Sequence, residues 1–131
     1  MEILTAYITE LLILIFIIIT FLQSGLDKII DWNGNIEWLK GHFSQTFLAG
    51  QVSLMVGIIL VIEVITGLLA IGGIIQILSS GVTTLALYAC ILAAITLLML
   101  LFGQRVAKDY AGAFTITGYF VVVILGVSFL S

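Results

Sequence analysis

The chain has 131 residues, 63% of them hydrophobic and 8% charged, with a formal net charge of −3. Soluble domains run at about 45–50% apolar and about 25% charged, so 4 basic and 7 acidic side chains cannot clothe a soluble domain of this size. The same arithmetic excludes a disordered chain and a nucleic-acid binder, which needs a basic patch against phosphate, and leaves an integral membrane protein.

Four stretches approach the roughly 20 apolar residues that a membrane-spanning helix needs. They run over about 3–25, 46–71, 82–102 and 111–130, as one all-α transmembrane bundle within residues 1–131. The runs are long and continuous, whereas bilayer strands are short and alternate apolar with polar. No proline interrupts them. The first stretch lacks the basic start, short apolar core and Ala-x-Ala site of a cleaved signal peptide.

The connections differ in character. Residues 26–45 form the one substantial loop, 72–81 are rich in Gly and Ser, and 103–110 are short and charged. Within the first, Trp32, Ile36, Leu39 and Phe43 recur at helical intervals, with Asn33-Gly34 read as a turn and Asn35 as an N-cap. The pattern predicts a short amphipathic helix near 35–43 in the headgroup region, anchored by Trp32 and Trp38. Lys28, Lys40, Arg105 and Lys108 all fall on the side of the long loop, so the positive-inside rule places that side in the cytoplasm and both termini outside.

Small residues recur every fourth position at Ala49, Ser53 and Gly57, and again at Ala86, Cys90 and Ala94. Such stripes predict close helix pairing, because little hydrophobic force drives helices together in lipid. Cys90 belongs to a stripe and reads as a packing residue. It is the sole cysteine and His42 the sole histidine, which leaves no disulfide, thiol pair, bis-histidine haem or His-rich metal site within one chain. No glycine-rich nucleotide loop is present.

Two polar sets stand out. Glu10 and Glu63 lie inside predicted spans, where an ionisable group is costly and turns towards the bundle interior. With the second span ending near 71, both lie roughly 10–12 Å from the side of the termini, and Tyr88 roughly 9 Å from it. No basic residue shares that depth, so Glu63 is expected to be protonated, within reach of Glu10 or Tyr88. The functional reading is a proton relay, a cation site or a quinone-headgroup site. The alternative is a snorkelling Glu10 and a protonated packing Glu63. The second set is interfacial: Ser24, Gly25, Asp27 and Lys28 with Asp31 on one side, Arg105 paired with Asp109 and followed by Tyr110 on the other, with His42 at the mouth. Its alternative is an ordinary ion-pair set that fixes helix depth.

Three segments resemble the DoxX-like family of small membrane proteins. Phe21-Leu22-Gln23-Ser24-Gly25-Leu26-Asp27-Lys28 is similar to the family's Phe-x-x-Ser/Ala-Gly-x-x-Lys end of the first helix. Glu63-Val64-Ile65-Thr66-Gly67-Leu68-Leu69-Ala70-Ile71-Gly72 resembles its second-helix pattern, and Arg105–Ala113 its link into the last helix. The resemblance covers nearly the whole chain, although the family's basic N-terminus is missing. It implies a four-helix bundle in a prokaryotic plasma membrane, with Gly25, Lys28 and Glu63 as the positions to carry over. The family name comes from a small subunit ascribed to a terminal quinol oxidase. The implied role is therefore a non-enzymatic accessory subunit, with other membrane subunits or further copies of the chain as partners. The alternatives are a quinone-linked oxidoreductase component, taking electrons from another chain because none of its own residues forms an electron carrier, or a small proton or cation carrier.

Overall fold

The structure is a computed structural model that describes residues 2–131. It is 88% helical with no strand among the described residues. Four helical segments are long and apolar enough to cross a membrane: Ile8–Ile30, Ala49–Ser80, Thr84–Val106 and Tyr110–Leu130. The first is composite. A short α1 (Glu2–Ala6) precedes α2 (Ile8–Ile17), a π-helical turn at Ile18–Leu22, and α3 (Gln23–Ile30). Then come α4 (Trp32–His42), a 3-10 turn at Ala49–Gln51 that leads into α5 (Val52–Ser80), α6 (Thr84–Val106) and α7 (Tyr110–Leu130).

Two of the helix ends that differ from the sequence-based boundaries matter for the site. The first span continues to Ile30, so Lys28 is a helix residue and not a loop residue. The second continues to Ser80, nine residues past 71. The Gly/Ser-rich stretch that resembles a connection is helix, because its glycines serve packing. A Cβ on Gly73 would lie 2.8 Å from the Ala86 Cα, so only glycine lets α5 and α6 approach so closely there. The stop comes at Gly81, whose φ of +72° suits glycine and whose N–H donates to the Ile77 carbonyl at 2.8 Å. Gln76 closes the turn: its Oε1 accepts from the Leu85 N–H at 3.0 Å, satisfying an otherwise orphaned donor in the first turn of α6.

The main core joins α2, the π turn, α5, α6 and α7 through Leu14, Ile17, Phe21, Ile77, Leu97 and Val123, all buried. Ala86, Cys90 and Ala94 are buried within it, and a Cβ on Gly126 would meet the Cys90 Sγ at 2.7 Å. The other predicted stripe is not a tight contact. Ser53 is exposed, and a Cβ on Gly57 would meet only the Trp32 ring, at 3.9 Å. There α5 is covered by α4 instead. Ile36, Phe43, Leu48, Val52 and Val56 form a second buried cluster, flanked by Trp32 and Leu39. The N-cap of α4 is Asp31, whose carboxylate accepts from the Gly34 N–H at 3.3 Å, so Asn33-Gly34 begins the helix and is not a turn before it. Asn35 is not the cap. Its amide donates to the carbonyls of Asp27 and Asp31 and ties α4 to α3.

Candidate functional site

Glu63 lies in α5 and is 1% exposed. The Lys28 Nζ approaches its Oε1 to 2.9 Å and donates to the Ser24 Oγ at 2.7 Å. The Lys28–Glu63 contact is close enough for an ion pair but lacks hydrogen-bond angles, so charge carries it and Oε1 has no hydrogen-bond donor. Ser24 and Lys28 are four apart on one helical face. A helical side chain leans towards its own N-terminus, which for Lys28 points into the span. A lysine near a membrane boundary usually snorkels outwards; here the buried carboxylate holds it inwards. Gly25 permits the approach: a Cβ there would lie 3.3 Å from Val64 and 3.6 Å from Leu60 of α5.

This arrangement replaces the expected Glu63–Glu10–Tyr88 set. Glu63 has a counter-ion in Lys28, where none was expected at its depth. The cause is the longer α5, which moves Glu63 away from the side of the termini and towards Lys28. Glu10 lies 14 residues before Ser24, about 21 Å along the helix axis. Tyr88 is 52% exposed and follows Ala86, which faces Gly73 ten residues beyond Glu63; it sits roughly 12 Å from the level of Glu63.

The interfacial set is rearranged as well. No Arg105–Asp109 pair forms among the described residues. The Arg105 guanidinium lies 4.9 Å from the centre of the Tyr110 ring, a cation–π distance. Asp109 caps α7 by accepting from the Gly112 N–H at 2.9 Å, and its Oδ2 is 3.7 Å from the His42 Nε2. That nitrogen also lies 3.1 Å from the Gln104 Oε1, while the His42 ring stacks on Trp38. His42 thus joins α4 to the α6–α7 link. Gln104, which sequence reasoning did not single out, completes the tie. An uncharged residue at a span boundary gives no sequence signal, and only its 62-residue separation from His42 in the chain makes the contact informative.

Lys28 borders two cavities. One, of about 540 Å³, lies between α4, the start of α5 and the end of α6. Its lining is mostly apolar, with polar groups at Lys28, Gln104 and the Trp38 indole, and includes Phe43, Met99 and Gly103. It runs from Gln104 to Ile95 along α6, nine residues or about 13 Å. The other, of about 400 Å³, lies between the first span and Tyr119 and is polar, with Gln23, Ser24, Asp27 and Asn35 on its walls. The π turn contributes Ile19 and Thr20 to it.

No family model, curated protein or solved structure matches the chain.

Proposed function

We propose that the chain is a DoxX-like integral membrane protein of a prokaryotic plasma membrane, acting as a non-enzymatic accessory subunit of a larger complex. The observation that carries this reading is the neutralisation of the buried Glu63 by Lys28 within the span. Glu63 is sealed from solvent, and its charge is matched by Lys28, which is in turn held by Ser24. Such a set fixes how the first two spans sit against each other. Fixed, mutually neutralised charges suit a scaffold better than a group that must exchange protons at each turnover. In this reading α4 lies at the headgroup level with the exposed Trp38 as anchor, and the side bearing Lys40, Arg105 and Lys108 faces the cytoplasm.

The apolar cavity favours a second reading, a quinone-linked component of an oxidoreductase. Its Lys28 wall suits a ring carbonyl, and the electrons would come from another chain. Purification in native lipid, with mass spectrometry of intact assemblies, separates the two. A stoichiometric protein partner without a bound quinone is the result expected of an accessory subunit. A stoichiometric quinone supports the second reading, and a chain that purifies alone contradicts both.

A further inference from the structure

We infer that the apolar cavity beside Lys28 is a binding site for a neutral amphiphile, with a carbonyl oxygen as its head and a single hydrocarbon tail. A monoacylglycerol in this cavity is compatible with the accessory-subunit reading, whereas a quinone there belongs to the second reading. Three observations carry it. First, the cavity is large enough for a small-molecule ligand at about 540 Å³, within the range of about 300–1,000 Å³ usual for such sites. Second, its walls are mostly apolar, with polar groups at Lys28, Gln104 and the Trp38 indole, the division that a tail and a small polar head require. Ile58, Ile95, Leu98 and Phe102 on its border are each about half exposed on the lipid-facing surface, so a ligand can enter sideways from the bilayer. Third, the charge of Lys28 is already balanced. Its ammonium carries three N–H donors; one goes to Ser24, while the Glu63 carboxylate at 2.9 Å balances the charge without accepting a hydrogen bond.

An N–H left free selects the head. A carbonyl or ester oxygen accepts it and adds no charge. A carboxylate or phosphate would place a second anion beside Glu63 with only one cation between them, which is unfavourable in a low-dielectric site. A cationic head would meet Lys28 itself. The site therefore favours neutral acceptors over anions of the same chain length, the reverse of what an exposed lysine would do. Two sources share the chemistry, the ester of a monoacylglycerol and the ring carbonyl of an alkylated benzoquinone.

Trp38 lines the cavity and provides the readout. In a Trp32→Phe background it is the only indole, because the chain has two tryptophans. Its fluorescence is titrated in phosphatidylcholine nanodiscs with four probes: a tail-brominated monoacylglycerol, the fatty acid with the same brominated tail at pH 8, the corresponding brominated alkane, and decyl-benzoquinone. Saturable quenching by the ester, the quinone or both is expected, with affinity at least about tenfold above that for the acid and the alkane. The arm that saturates identifies the source. Gly103→Leu fills the cavity from α6. A Cβ there makes only ordinary contact with Phe43, at 3.5 Å, so the variant should fold and lose the saturable phase. Lys28→Gln with Glu63→Gln keeps the pair neutral and uncharged, and should abolish the discrimination against the acid. Equal quenching by all four probes, preference for the acid, or saturable quenching that survives Gly103→Leu would overturn the inference.

Discussion

The Lys28 ammonium lies 2.9 Å from the Glu63 carboxylate across the contact between the first two membrane-spanning helices. Each residue lies in a place where charge is expensive, and each removes the other's reason to seek water. The sequence distance of 35 residues makes the pair a tertiary clamp. Buried pairs of this kind add little net stability compared with a well-packed apolar pair, yet losing one partner is costly because the other charge is left alone. Their best-attested benefit is in selecting one register over its neighbours, which for two long apolar helices is otherwise weakly determined.

Ser24 tests whether Lys28 is held inwards by more than charge. Ser24→Ala removes the 2.7 Å acceptor and should lower stability by about 1.5–3 kcal/mol, the usual range for a hydrogen bond to a charged group. Ser24→Thr keeps an acceptor and should recover most of that loss. Thermal unfolding in detergent measures both; an unchanged midpoint for Ser24→Ala would contradict the geometry.

Gly73 and Gly57 separate real helix contacts from apparent ones. Gly73→Ala puts a methyl group 2.8 Å from the Ala86 Cα, where backbone must move, and should cost about 1–3 kcal/mol. Gly57→Ala brings a methyl group only into ordinary contact with Trp32, at 3.9 Å, and should change stability by less than about 0.5 kcal/mol. Comparable losses for the two would show that the helices are packed differently.

Asp109→Ala should destabilise by about 1 kcal/mol through loss of the α7 cap. Asp109→Asn retains a capping oxygen and should restore most of it. Hydrogen exchange of the Gly112 amide, the group that Asp109 accepts from, reports the cap directly. Faster exchange is expected in the alanine variant and near-native exchange in the asparagine variant.

The four apolar runs are legible because bilayer thickness sets their length. The inward face of Trp32, Ile36, Leu39 and Phe43 is legible because a helix imposes its period. The partner of Glu63 is not, for one reason of boundary. Gly72, Gly73, Ser79 and Ser80 have the composition of a loop, yet they continue α5, and helix ends fix depth. Nine residues of error amount to about 13 Å of rise, enough to assign Glu63 to the wrong neighbours. Arg105 and Asp109 have pairing distance in sequence, but Asp109 is the N-cap of α7 and lies outside the helix that carries Arg105, so the helical spacing rule does not apply. The Ser24–Lys28 contact, by contrast, follows directly from their four-residue spacing.

The central claim is that Lys28 and Glu63 are one interacting unit, and a double-mutant cycle on thermal or denaturant unfolding tests it most directly. Lys28→Met should cost about 3–5 kcal/mol, because it strands the buried Glu63 carboxylate, and Glu63→Met should cost less, because Lys28 can then snorkel outwards. Together they should cost far less than the sum, with a coupling of at least about 2 kcal/mol. Costs that add to within about 0.5 kcal/mol would contradict the claim and show that the two side chains act independently.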